Sequence, residues 1–167
     1  AQIVNDISGL TFDSEMVGVC ARAGVGVACM HIQGRPQTMQ SNPQYGDVVE
    51  EIRRWLGERV DVMLEGGIRR EAIVLDPGIG FGKTAEHNLQ ILANIGAFRE
   101  LGYPILIGHS RKRFLGKLLN RPVEERGMGT VGVSLALAEQ GVEILRLHEI
   151  APTRDCLSAF RAIRYPE

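Results

Sequence analysis

The stretch 71-EAIVLDPGIGFGKTAEHNLQILANIGAFRELG-102 decides the reading of the fold. It opens on a short apolar run, 71–76, of strand character. It then breaks at Pro77 and three alternating glycines, Gly78, Gly80 and Gly82. Apolar residues at helical spacing follow until Gly102, the residue type on which helices commonly end. Strand, glycine turn and helix make one βα unit. Its Gly82-Lys83-Thr84 suggests a phosphate-binding loop, but the count fails. Such a loop needs four residues between its first glycine and the Gly-Lys-Thr, and that position holds Pro77. The glycines read G-x-G-x-G, which also misses dinucleotide spacing. The lysine and threonine are therefore expected only to begin the next helix.

The same alternation extends both ways from this unit. Upstream, "QIVNDI" (2–7) and "GVACMHI" (26–32) read as strands. "SEMVGVCARAG" (14–24) reads as a helix between them. "RPQTMQSNPQYG" (35–46) is a polar loop. In the helix predicted over 47–67, Val48, Val49, Ile52, Leu56 and Val60 share one face. Downstream, "PILIGH" (104–109) and "EILRLHE" (143–149) read as strands. Helices are predicted over 110–119, 123–141 and 151–164. Five βα units in a row without a hairpin signal imply parallel strands covered by helices, an α/β class. No linker or repeat divides residues 1–167, so a single domain is expected. Periodicity leaves two architectures open: a small doubly wound sheet, or part of a (β/α)8 TIM barrel, which typically needs about 250 residues.

The composition is that of a globular chain, 44% hydrophobic and 23% charged over 167 residues. The formal net charge of −1 exerts no general pull on nucleic acid or membrane. Arg111, Lys112, Arg113 and Lys117 are a local cationic exception. Three widely spaced cysteines, with no C-x-x-C, fit buried thiols in a reducing, cytoplasmic setting rather than zinc or disulfides. No leader and no apolar run long enough to span a bilayer is expected. The chain lacks an initiator Met and opens almost inside a strand-like run, as a cut chain would.

Parallel α/β folds bind ligands beyond the carboxyl ends of their strands. Every predicted strand here ends in polar chemistry. Asn5 and Asp6 close the first; at most one faces a site, because neighbours on a strand alternate. Met30, His31 and Gln33 close the second, and Asp76 the third. Gly108, His109, Ser110, Arg111 and Lys112 close the fourth, and Arg146 and His148 the fifth. Read as strand residues two apart, Arg146 and His148 form an anion grip. Lys112 stands at a helix start, where the macrodipole disfavours a cation, and a ligand would explain it. Each residue also has a bland reading. Asp76 could cap a turn, Arg146 could be salt-bridged, and Met30 and Phe81 could be core. His31, His87 and His109 show no partner and are expected to be structural or surface residues. A carboxylate facing a lysine across an aromatic ring suits a flat heterocycle, and the Arg/His pair suits phosphate.

In this order, "VNDISG", "CMHIQGRPQTMQ", "LDPGIGFGKT", "LIGHSRKRFLGK" and "ILRLHE" resemble the successive strand-end motifs of dihydropteroate synthases, over essentially the whole chain. The resemblance implies a (β/α)8 barrel, commonly a homodimer, of which this chain supplies strands four to eight. It implies a transferase of folate biosynthesis that joins 6-hydroxymethyl-7,8-dihydropterin pyrophosphate to p-aminobenzoate, releasing pyrophosphate with Mg²⁺ help, and that sulfonamides inhibit. By motif, Asn5 and Asp76 would bond the pterin edge and Lys112 would reach the ring from the other side. Met30 and Phe81 would line the pocket, with Phe81 nearer the p-aminobenzoate. Gly108 and Ser110 would flank the p-aminobenzoate path, and Arg146 and His148 would hold the pyrophosphate. Glu149 replaces a shorter aspartate of the family, with little consequence expected. The family's magnesium-placing asparagine, its two mobile loops and a further pterin-binding aspartate have no counterpart, so no metal ligand is assigned and the chain alone is expected to be impaired or inactive. A corrinoid-type pterin methyltransferase is the runner-up, which "SRK" and "RLH" disfavour. A non-catalytic half-barrel module is the third reading.

Overall fold

A computed structural model describes residues 1–166. Five parallel strands are present: β1 (Ile3–Asp6), β2 (Gly26–Met30), β3 (Ile73–Asp76), β4 (Leu106–Ile107) and β5 (Ile144–Leu145). Seven α-helices accompany them: α1 (Met16–Ala23), α2 (Val48–Glu65), α3 (Ala85–Ala93), α4 (Ile95–Arg99), α5 (Arg113–Leu119), α6 (Gly127–Glu139) and α7 (Ile150–Arg164).

Spatial order equals chain order, and this decides between the two architectures. β1 pairs with β2, β2 with β3, and β4 with β5, all parallel. A parallel bridge between Leu75 and Ile105, with the Leu75 N–H donating to the Pro104 carbonyl at 2.9 Å, joins the two ladders. A doubly wound sheet must reverse its strand order somewhere. Right-handed crossovers between strands laid down in sequence put every helix on one face. The result is an arc of a (β/α)8 barrel, with β1 and β5 at its ends.

The alternation of strand residues sorts the two faces. Val4, Val27, Cys29, Ile73, Leu75, Ile105, Ile107 and Leu145 join the apolar cluster with Ile52, Leu56 and Phe98 from the helices. Burying each large aliphatic side chain there contributes roughly 1.5–3 kcal/mol. Asn5, Ala28, Met30, Val74, Asp76, Leu106, Gly108 and Arg146 occupy the alternate positions, on the barrel's interior side.

Local chemistry explains the helices. Asp47 caps α2, its carboxylate accepting from the N–H groups of Val49 and Glu50. This helix buries Val48, Ile52, Leu56, Val60 and Met63, whereas Val49, expected on the same face, is only half-buried. Thr84 caps α3 in a reciprocal box with His87.

Two predicted helices are interrupted. The one expected over 84–102 breaks at Asn94, whose backbone (φ −124°, ψ 40°) leaves the helical region. Gln140 fills the break from outside: its amide donates to the Leu92 carbonyl at 2.8 Å and accepts from the Ile95 N–H at 3.2 Å. The one expected over 123–141 is a short 3₁₀ turn, Val123–Glu125, followed by α6. Between them, Arg126 donates to the carbonyls of Arg121 and Arg111.

Candidate functional site at the strand ends

The turn after β3 is built against the loop after β2. Gly78 and Gly82 have φ of 75° and 65°, the left-handed region that glycine tolerates. A Cβ on Gly78 would overlap the His31 carbonyl, and one on Gly82 the Gln33 backbone. These glycines therefore let two loops touch, rather than giving a ligand access. Side chains lock the contact. Tyr45 donates to the Gly82 carbonyl at 2.9 Å, Gln40 to the Gly80 carbonyl at 2.6 Å, and Asn88 accepts from the Gly80 N–H at 2.7 Å.

Asp76 ends β3 at 1% exposure. One carboxylate oxygen accepts from the Gly78 N–H at 2.8 Å, and the other lies 3.2 Å from the Arg146 guanidinium. The turn-capping reading thus holds for this residue, and its second oxygen is turned to Arg146 on the interior side of the barrel. Burial pushes its carboxyl above the ordinary range, against the pull of Arg146, the Gly78 N–H, Lys112 and Lys83. Arg146 also donates to the Asn5 side chain, which places Asn5 in the site. Asp6 turns away and accepts from Ser8 and the Leu10 N–H, so only one of this neighbouring pair faces the interior.

Lys112 reaches across the turn from the start of α5. Its Nζ donates to the Ile79 carbonyl and lies 4.5 Å from the centroid of the Phe81 ring. Burial, partly offset by Asp76, draws its pKa down to about 8. A recess of about 180 Å³ adjoins it on one side, lined by Gly108, Ser110, Arg146, Leu147 and His148. On the other side lies a cleft of about 600 Å³, where Phe81 and Phe114 stand among Arg113, Lys117 and Arg126 and, among the described residues, no carboxylate lines the wall. Met30 pairs with Asp76 across β2 and β3 and is 1% exposed, so it closes the interior beside the carboxylate.

Several expectations are corrected. β5 ends at Leu145, so Arg146 and His148 lie beyond the strand and do not share a partner. Arg146 turns to Asp76 and Asn5, while His148 is held by Ser110, with Nδ1 2.9 Å from its hydroxyl. Gly108 is the reason Arg146 fits, since a Cβ there would overlap its guanidinium. Glu149 pairs with Arg111 at 2.6 Å, so the longer acid has a structural partner. His109 and His87 do have partners, Ser134 with the Thr130 carbonyl and Thr84 respectively. Lys83 does more than begin α3. It is 3% exposed, with Nζ 3.0 Å from Nδ1 of buried His31. His31 directly follows β2, but Lys83 lies in the turn between β3 and α3, and nothing in the local sequence signals their pairing. Among the described residues no group of three His, Cys, Asp or Glu side chains could hold a metal ion, and no helix is long and apolar enough to cross a membrane.

A barrel arc with a buried carboxylate, a cation over an aromatic ring and polar residues at every strand end defines a partial (β/α)8-barrel domain with a candidate ligand site at its strand ends. Comparison with known proteins narrows this: residues 1–148 match the family "Pterin binding enzyme", and the chain belongs to that family. It is 43% identical over 151 residues to the dihydropteroate synthase of Synechocystis sp., an alignment covering 90% of this chain and 52% of that protein. The dihydropteroate synthase of Stenotrophomonas maltophilia, solved with imidazole in its active site, superposes with a TM-score of 0.95 at 39% identity, over 100% of this chain and 63% of that one. The Xanthomonas albilineans enzyme in complex with 7,8-dihydropteroate does so with a TM-score of 0.91 at 36% identity, over 100% and 61%. The chain spans about half to three-fifths of the length of the relatives it matches.

Proposed function

We propose that this chain is the pterin-reading part of a dihydropteroate synthase, a transferase of folate synthesis. The observation that carries the reading is Asp76: a buried carboxylate at a barrel strand end, ringed by Arg146, Lys112 and Lys83. A pterin offers adjacent N–H donors along one edge, which a carboxylate accepts together. Asn5 adds a second polar partner, and Lys112 meets the ring from the other side. Met30 closes the floor. The cleft beyond Phe81 and Lys112 has an aromatic wall and cations and, among the described residues, no acid, which suits an aromatic amine bearing a carboxylate. The X. albilineans enzyme has also been solved with 4-aminobenzoic acid.

The chemistry is a substitution at the pterin methylene. The bond from methylene carbon to pyrophosphate oxygen breaks, and pyrophosphate leaves with the electron pair. The amine nitrogen of p-aminobenzoate bonds to the same carbon and then loses a proton. The electron-rich pterin shares the positive charge on the methylene, so no side-chain nucleophile is required. Arg146 and His148 are the cations nearest the recess beside Gly108, and cations there stabilise the charge that grows on the leaving group. Holding pyrophosphate requires Arg146 to release Asn5 and Asp76. Magnesium, which dihydropteroate synthases use, has no set of ligands among the described residues, and no step here is assigned to it.

Calorimetric titration of the chain with 6-hydroxymethylpterin tests the reading. Binding that is lost in Asp76→Asn is the expected result. An unchanged affinity in that variant would remove the assignment of Asp76 as the pterin reader.

A further inference from the structure

Lys83 has no part in the chemistry above, yet it is among the most buried charged side chains of the protein, at 3% exposure. Its Nζ donates to the Phe81 carbonyl at 2.9 Å and lies 3.0 Å from His31 Nδ1. An ammonium has donors only, so His31 must present an unprotonated Nδ1 and carry its hydrogen on Nε2. Burial first, and Lys83 second, hold the His31 pKa down to about 2, which keeps the ring neutral. That ring packs edge-on against Trp55 at 4.9 Å, and the His31 N–H donates to the Asp76 carbonyl at 2.9 Å. One buried ammonium thus ties the turn after β3 to the loop after β2, next to the residue that reads the pterin.

A buried ammonium costs several kcal/mol of desolvation unless its surroundings compensate. A methionine of similar length would fill the space without that cost. The charge therefore points to a task beyond packing. Burial draws the Lys83 pKa down to about 7, with Asp76 holding it up and Lys112 pushing it down. The charged and titratable groups around it are His31 after β2, Asp76 at the end of β3, and Lys112 before α5, with Tyr45 bonded to the adjoining Gly82 carbonyl.

We propose that Lys83 is a positioning residue of the pterin site. Its ammonium clamps the Phe81 carbonyl to the His31 ring and thereby sets the Gly78–Gly82 turn, Phe81 and Asp76 against the ligand. This role rests on the pterin reading, but its first test needs no ligand.

The first test follows the amide resonances of Gly78, Gly80 and Gly82, and the ring nitrogens of His31, across about pH 5 to 10. In the unmodified chain the three glycine amides move together with a midpoint near 7, and His31 stays in its neutral Nε2–H form. In Lys83→Met that step vanishes, a later step from Lys112 near 8 remains, and His31 takes up a proton at higher pH than before. The second test is the affinity for 6-hydroxymethylpterin. It falls about tenfold from pH 6 to pH 8.5 in the unmodified chain; in Lys83→Met it is weak and lacks the step near 7, leaving only the Lys112 step near 8. Glycine amides that show no step near 7 in the unmodified chain overturn the proposal without any variant. So does a Lys83→Met chain that keeps the original affinity and pH profile. If the unmodified chain shows the glycine step but binds no pterin at any pH, the clamp stands and the pterin reading falls.

Discussion

Arg146 bridges Asp76 and Asn5, partners 70 and 141 positions away in the chain. The guanidinium closes the arc: it joins the end of the last strand to those of the third and first. It also neutralises the carboxylate that burial would otherwise leave uncompensated.

Arg146→Met therefore destabilises the fold, and Asp76→Asn repairs it. Removing Arg146 leaves a buried acceptor without its charged partner, at a cost of about 1–3 kcal/mol. The neutral amide in the double variant needs no counter-ion, so much of the loss is recovered. Urea unfolding of both single variants and the double variant measures the coupling. Strictly additive effects would mean that the pair does not interact in solution. Pterin affinity stays lost in the double variant.

Lys112→Ala uncouples activity from stability. The side chain crosses the surface of the turn and is not part of the apolar cluster, so the melting temperature shifts little. Turnover with pterin pyrophosphate and p-aminobenzoate, in an enzyme of the relatives' full length carrying these residues, drops by about 10²–10³. Near-normal turnover would refute its placement against the pterin.

Lys83 gives stability a pH signature. Its folded pKa of about 7 lies below its ordinary value of 10.5, so between those values the unfolded chain binds more protons than the folded one. Stability then rises with pH through that window, by at most about 1.4 kcal/mol per unit, and is lost as pH falls through 7. Comparing urea midpoints of the unmodified chain and Lys83→Met from pH 7 to pH 10 isolates this slope, which the variant lacks. Parallel curves would place Lys83 in solvent contact.

Gly82→Ala strains the loop contact. The position has φ 65°, and the added methyl meets the Gln33 backbone, which cannot yield as a side-chain tip can. A loss of about 1–3 kcal/mol follows, or roughly 2–12 °C in melting temperature for a domain of this size. Gly24→Ala, also left-handed but with open space around it, isolates the φ cost alone. Equal losses at the two sites would deny the close approach.

Sequence by itself determined the parallel α/β class, the five units and the polar residues that follow each apolar run, although β4 and β5 end earlier than the sequence suggests. Local rules suffice for these: periods of two and 3.6 mark the elements, and polar residues just past an apolar run mark strand ends. It also carried the pterin motif, because Asp76, Phe81 and Lys112 lie in short contiguous patterns. Only tertiary structure decided between barrel arc and doubly wound sheet, since pairing order leaves no trace in periodicity. It alone turned Arg146 toward Asp76 rather than toward His148, because β5 stops at Leu145 and Gly108 leaves room for the guanidinium. It broke the helix at Asn94, where Gln140 arrives from a distant element to take up the freed backbone groups. And it buried Lys83 against His31, 52 positions away. A glycine turn followed by lysine and threonine reads as a helix start, and only the closure of two loops on each other makes that lysine part of the site.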